Sequence, residues 1–319
     1  MKTKLKRLFT EYNIILILAI ILLYGFFGVP YFSGPNNLIK LASDLSMYGI
    51  VAIGMTFLLI SGEIDLSLGM SVALSTIVSS LVGSQLGGVA GIIAAIVVCG
   101  LIGLFNGFLV TRFHMSSLIA SIATMTALSG VCFLLGDGQT VPNNSELLRA
   151  LYTYKLFGVS FLQLPIVLFI LCLVGFGLLL HNTRFGNGIF VVGGNEEAGY
   201  TAGINIGRTK MLCFLIGGVC AGITGILLGS YVFAGAASYG DGLNITLISA
   251  CVLGGVKFTG GKGGVVRTLL GIIVVRTLIN ITSLLSFDAW AQNVVTGLLL
   301  LLVLIVDRCT REQRLEDAA

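Results

Sequence analysis

Charge is what this sequence lacks most. Of its 319 residues only 10% are Asp, Glu, Lys or Arg, while 56% are hydrophobic and the mean hydropathy is +1.03. A soluble domain carries roughly a quarter charged residues, so a chain that keeps its surface in water is excluded and an integral membrane protein remains. The net charge of +4 does not point to nucleic acid, because the cations stand singly or in pairs at the ends of apolar runs and form no patch. Paired cysteines are also lacking. Cys99, Cys132, Cys172, Cys213, Cys220 and Cys251 fall inside apolar runs, Cys309 lies in the tail, and no CxxC spacing occurs; they read as small core residues, not disulfides or metal ligands. The four prolines, Pro30, Pro35, Pro142 and Pro165, fall in outer loops or at a span start, where a missing donor does least harm.

Catalytic signatures are missing as well. A nucleotide-hydrolysing loop needs a glycine, four residues, then Gly-Lys-Ser/Thr. Around Lys262 the first glycine is replaced by Val256, and Gly263 stands where the hydroxyl is required. Neither HExxH nor GxSxG occurs, and His114 and His181 lie far apart. The chain shows no catalytic set and no metal site, and is read as a non-enzyme.

What it has instead is apolar length. A spanning helix needs about 20 apolar residues, and ten candidates follow in order: 12–29, 43–61, 67–83, 88–110, 116–136, 164–181, 210–234, 243–256, 265–285 and 290–306. The fold class is therefore all-α, a polytopic membrane protein of about ten transmembrane helices. The first run follows Lys2, Lys4, Lys6 and Arg7 like a signal peptide, but no small-x-small cleavage site follows Gly28, so a retained anchor is expected. With the N-terminus inside, the inner segments hold those four cations and Arg112, Arg184, Arg208, Lys210, Lys257, Lys262, Arg267, Arg308, Arg311 and Arg314, against Arg149 and Lys155 outside. That bias places both termini in the cytoplasm. The expected organisation is one membrane domain over 1–319: a cytoplasmic N-terminus at 1–11, a helical body at 12–306 and a cytoplasmic tail at 307–319.

One polar interruption stands out in the second half, the cytoplasmic loop at 182–209. Within it Asn195 is a good N-cap, Glu196 and Glu197 sit where a first turn favours acids, and Gly203 can close the helix in a left-handed conformation. A short amphipathic helix outside the membrane suggests a soluble partner. The 43 glycines supply small-xxx-small pairs, Gly103 with Gly107, Gly218 with Gly222 and Gly225 with Gly229, which let helices approach closely in lipid. They read as packing within the chain rather than a dimer seam. Two glycine-rich breaks, SGEIDLSLG from Ser61 and GGVKFTGGKGG from Gly254, interrupt spans in the two halves. Non-helical backbone at a membrane edge must be buried in protein or line a wet cavity, which points to a transport path; the plain alternative, favoured for the second break, is a tight cytoplasmic turn.

Here the residues carry a resemblance. Ser61 to Gly69 resembles the SGGIDLSVG signature of the permease subunits of bacterial sugar ABC importers, the ribose, galactose, arabinose and autoinducer-2 group. Further matches follow in order at Gly103-Leu-Phe-Asn-Gly107, Ala123-Thr-Met125, Thr183-Arg-Phe-Gly186, Gly193-Gly-Asn195 through Gly203-Ile-Asn205, and Gly254-Gly255 with Gly260-Gly261.

The resemblance implies a ten-span subunit of the bacterial inner membrane. It implies that the subunit pairs with an identical or paralogous permease, takes a sugar or sugar-like solute from a periplasmic binding protein, and couples to a cytoplasmic tandem ATPase that alone binds ATP and magnesium. The Asn195–Gly203 helix then becomes the coupling helix, comprising Gly193, Gly194, Asn195, Glu196, Glu197, Ala198 and Gly203 with Arg184 and Arg208 at its flanks. For both arginines, positive-inside anchoring is the plain alternative.

The chain departs from the family pattern at Glu63, Asn244, Thr246, Arg267 and Arg276. Arg276 lies about 13 Å along its helix beyond Arg267 at 1.5 Å per residue, and burying it costs at least about 2.5 kcal/mol, so it should face a cavity or pair with an acid. Candidate residues of the path are Glu63, Asp65, Ser67, Asn106, Thr124, Arg276 and Asn280. For Asp65 and Ser67, capping the third span is the stronger reading; Asn106, Thr124 and Asn280 serve equally well as bridges between helices. The competing class is an ion-coupled secondary transporter or facilitator, for which Asp44 and Arg276 are the deep ionisable candidates.

Overall fold

A computed structural model describes residues 13–156 and 163–288 and, in the last stretch, 290–295, 297, 298 and 301. In chain order the helices are α1 (Asn13–Gly28), α2 (Pro35–Ile60), α3 (Leu68–Leu86), α4 (Gly88–Arg112), α5 (Ser117–Leu135), α6 (Glu146–Thr153), α7 (Leu164–Asn182), α8 (Arg184–Gly194), α9 (Glu196–Thr201), α10 (Ile206–Val232), α11 (Leu243–Leu253) and α12 (Val265–Leu284). Two short strands, β1 (Val141–Pro142) and β2 (Ala234–Gly235), pair antiparallel, Val141 opposite Gly235.

Among the described residues seven helices, α2, α3, α4, α5, α7, α10 and α12, are long and apolar enough to cross a membrane, so the chain is a polytopic all-α membrane protein. Of the other expected spans, the first corresponds to the shorter apolar helix α1. The eighth corresponds to α11, at 11 residues too short to cross alone. The tenth, at 290–306, lies for the most part outside the described residues, as do the first eleven residues and the tail.

The largest boundary difference is at α2, which begins at Pro35 and not near 43. Pro35 occupies the first helical turn, where its missing donor is harmless. The polar residues that follow stay helical because they find partners across the packing, as described below.

Burial sorts the helices into a centre and a rim. In α2, 83% of the most apolar window is buried; in α7 only 17% is. Apolar side chains of α4, α5 and α7 stand outward, among them Ile93, Phe105, Ile119, Leu171 and Val174, as expected of helices whose solvent is hydrocarbon. At the centre α10 crosses α4 almost backbone to backbone. A Cβ on Gly107 would stand 3.1 Å from Met211 Cα, and one on Gly222 would stand 3.0 Å from Ile96 Cα. The small-xxx-small pairs Gly103/Gly107 and Gly218/Gly222 thus pack within the chain, as their spacing suggested.

Candidate functional site

The polar interruption folds into two helices. Thr183 caps α8, its hydroxyl accepting from the Gly186 amide at 3.1 Å. Asn195 caps α9, its side-chain oxygen accepting from the Ala198 amide at 3.1 Å. Gly203 takes φ +75°, and the turn closes through Gly203 N–H to Tyr200 O and Ile204 N–H to Gly199 O, both at 2.9 Å, the hydrogen-bond pattern of a Schellman stop. All of α9 except Gly199 is exposed, Tyr200 at 76%. The sequence shows this helix but not α8 before it.

Lys210, the fifth residue of α10, sits beside α9. Its Nζ donates to Glu63 Oε1 at 2.5 Å and to Glu196 Oε1 at 2.6 Å. Glu63 belongs to the first glycine break and is buried; Glu196 opens α9 and is mostly exposed. One ammonium therefore ties the exposed helix to the break between α2 and α3. Sequence reasoning counts Lys210 only as an inner cation, since its carboxylates lie 147 and 14 residues away.

Backbone contacts reinforce the tie. The Gly261 amide donates to Ile60 O at 2.8 Å. A Cβ on Gly260 would stand 2.9 Å from Gly62 Cα, and one on Gly261 would stand 2.6 Å from Gly194 Cα. Gly62, Gly260 and Gly261 have φ of +83°, +77° and +71°, conformations that L side chains resist. The second break is a tight turn, closed by Lys257 N–H to Lys262 O at 3.0 Å. It also packs on Gly193, Gly194 and the first break, so the glycine-rich segments from both halves meet under the short helix.

Four of the path candidates form one buried chain. Asp65 Oδ1 accepts from the Ser67 amide at 2.8 Å and the Ser67 hydroxyl at 2.6 Å. The Asn106 amide reaches both Asp65 oxygens at 3.3 Å and Ser67 Oγ at 2.9 Å, and the Thr124 hydroxyl donates to Asn106 Oδ1 at 2.6 Å. All four are buried. Burial pushes the Asp65 carboxyl above its ordinary range, and the Ser67 and Asn106 hydrogen bonds work against that shift. The capping expectation needs correcting in detail. Ser67 is the N-cap of α3 and makes no side-chain cap bond; Asp65 folds the turn before the helix and joins α4 and α5 to it through Asn106 and Thr124.

The remaining two candidates lie between α2 and α12. Arg276 pairs bidentately with Asp44, Nε to Oδ2 at 2.6 Å and Nη2 to Oδ1 at 2.7 Å, and its guanidinium lies 3.8 Å from the centroid of Tyr48. Asn280 and Asn37 exchange amide hydrogen bonds at 2.9 and 3.1 Å. Arg184, Glu197 and Arg208 are exposed, and their side chains make no ion pair among the described residues. No group of three or more His, Cys, Asp or Glu that could hold a metal occurs among the described residues.

A bundle of membrane-crossing helices with a polar helix tied to two interrupted segments defines the membrane component of a transport system. Comparison with known proteins makes the class specific: a family profile described as branched-chain amino acid transport system / permease component matches residues 37–304, and the chain belongs to that family. It is 36% identical over 303 residues to the L-arabinose transport system permease protein AraH of Escherichia coli (strain K12), covering 95% of this chain and 92% of that protein. It is 32% identical over 283 residues to the ribose import permease protein RbsC of Bacillus subtilis (strain 168), covering 88% and 87%. To the autoinducer 2 import system permease protein LsrC of Yersinia pseudotuberculosis serotype O:1b it is 30% identical over 308 residues, covering 94% and 87%. No solved structure matches. The resemblance read from the motifs is thus shown, and the chain is a multi-pass permease component.

Proposed function

We propose that this chain is the pore-forming permease of a bacterial inner-membrane ABC importer for a sugar or sugar-like solute. The solute would be delivered by a periplasmic binding protein, and ATP hydrolysis would come from a separate cytoplasmic tandem ATPase. The sugar class follows from the named relatives, which carry arabinose, ribose and autoinducer 2. It is narrower than the amino-acid wording of the family description. In this reading the whole chain is one membrane domain with both termini cytoplasmic, and it works beside a second permease, identical or paralogous.

The observation that carries the coupling role is the double contact of Lys210 with Glu63 and Glu196. An ATPase that closes against α9, touching Glu197, Ala198, Tyr200 and the flanking Arg184 and Arg208, would move Glu196. Lys210 and the Gly193–Gly194 backbone would pass that displacement to Ile60, Glu63 and the Gly260–Gly261 turn. Asp65, Ser67, Asn106 and Thr124 then act as pins that keep α3, α4 and α5 moving together. Arg276, with Asp44 and Tyr48, belongs to the seam between α2 and α12 and would hold those two helices together as they move. The ion-coupled alternative loses its candidates, because Asp44 and Arg276 neutralise each other.

The test is solute uptake into vesicles that contain the permease with its ATPase and binding protein. Replacing Glu196–Thr201 with a Gly-Ser linker is expected to abolish uptake and solute-stimulated ATP hydrolysis while the permease still inserts. Accumulation that persists without the ATPase would overturn the reading.

A further inference from the structure

Beside the glycine junction lies a cleft of about 590 Å³ lined by His181, Phe190, Gly261, Lys262, Gly263, Gly264, Val266 and Arg267. Among the described residues no carboxylate lines it. The side chains of Lys262 and Arg267 are exposed and make no ion pair or hydrogen bond among the described residues. His181 stacks on Phe190, centroids 5.8 Å apart. The floor is the start of α12, where Gly264 is the N-cap and no side chain caps the helix, so orphan amide donors add to the cationic field. Two exposed cations, an imidazole and a helix N-terminus around one concavity are a phosphate-sized anion receptor.

Its wall says which anion. His181 is the α7 residue in the cleft; at helical spacings before it on α7, Leu178, Val174, Leu171 and Ile170 are 49 to 63% exposed, and Val266 of the lining is 64% exposed. A cationic cup at the foot of an apolar, outward-facing helix matches a headgroup phosphate with acyl chains above it, and fits a free anion poorly. Basic recesses between spanning helices recognise anionic lipid in this way. We infer that the His181–Lys262–Arg267 cleft binds the phosphate of an anionic phospholipid whose chains lie along α7. Gly261 is shared between cleft and junction, so the bound headgroup stands next to the amide that holds Ile60 O. Only the choice of leaflet rests on the cytoplasmic orientation proposed above.

The experiment uses the full permease complex, delipidated in detergent and titrated separately with dioleoylphosphatidylglycerol, dioleoylphosphatidylcholine and inorganic phosphate. Native mass spectrometry reads the tightest-bound lipid on wild type, Lys262→Gln/Arg267→Gln and Arg112→Gln. Wild type and Arg112→Gln are expected to retain phosphatidylglycerol over phosphatidylcholine, and the double variant to bind it roughly 25-fold more weakly, about fivefold for each cation. Both side chains are exposed, so folding should survive; if the double variant melts early, Lys262→Gln alone, about fivefold weaker, carries the test. Equal binding of the two lipids, or phosphatidylglycerol unchanged in the variants, overturns the inference. So does displacement of the lipid by equimolar phosphate, which assigns a soluble anion. Unchanged lipid with loss of the co-purifying ATPase assigns the cleft to that partner and also overturns it. Lipid binding is read without transport, so it fails or holds independently of the coupling proposal.

Discussion

At the scale of single residues, the Arg276 and Lys210 ion-pair sites make different demands. Arg276 and Asp44 share a bidentate contact inside the helix bundle, and removing one partner from such a pair strands the other. Arg276→Leu is expected to cost about 3–5 kcal/mol, read as a lower melting temperature in detergent. The double change Asp44→Asn/Arg276→Gln should cost less than the sum of its singles; equal, additive losses would mean the pair has no coupling. Lys210 faces a test of function as well as of folding. Lys210→Met is expected to lower solute-stimulated ATP hydrolysis roughly five- to tenfold while basal hydrolysis holds, with Lys210→Arg recovering part of it; an unchanged ratio of stimulated to basal hydrolysis would remove Lys210 from the coupling route. Neither pair is legible in sequence as a pair. Asp44 and Arg276 each register as a deep charge, but a separation of 232 residues leaves their meeting to the packing of α2 on α12.

At the scale of elements, what the sequence shows depends on whether the deciding contacts are local. Asn195 and Gly203 mark the two ends of α9 within nine positions, and the structure has that helix. Asn195→Ala should destabilise α9 by about 1 kcal/mol, seen as faster amide exchange at Ala198 and Gly199, with Asn195→Asp holding near wild type. Helix α8 is not legible because Gly186, Gly188, Gly193 and Gly194 argue against a helix by propensity. Close packing explains Gly186 and Gly193: a Cβ on Gly186 would overlap Leu180 O, and one on Gly193 would overlap Ile60 O and stand 2.9 Å from the Gly261 amide nitrogen. Gly193→Ala is therefore expected to cost about 1–3 kcal/mol, measured against Gly130→Ala, where nothing lies within 4 Å. The early start of α2 has a similar cause. Asn36, Asn37, Lys40 and Asp44 dilute its hydropathy, and Asn37 and Asp44 are retained in the helix by Asn280 and Arg276 on α12.

For the whole molecule, composition and cation bias were enough to read a multi-pass helical membrane protein, and ordered motifs to read its family. The proposed second permease is a property of the assembly, which a single sequence does not contain; if the proposal holds, purification with one tagged copy brings down either a second copy of that sequence or a paralogue, and mass spectrometry distinguishes them. The internal layout adds a mechanical constraint of its own. Helix α10 runs 27 residues, about 40 Å at 1.5 Å per residue. At one end Lys210 is clamped by two carboxylates; at the other, Phe233 O accepts from the Asn143 amide at 3.0 Å and the next two residues pair with β1. A shaft gripped at both ends would move as one piece, so a tilt imposed at the Lys210 end would be carried to the Phe233 end. In the proposed transport cycle the entrance and the exit would then be geared to each other, so that opening one closes the other.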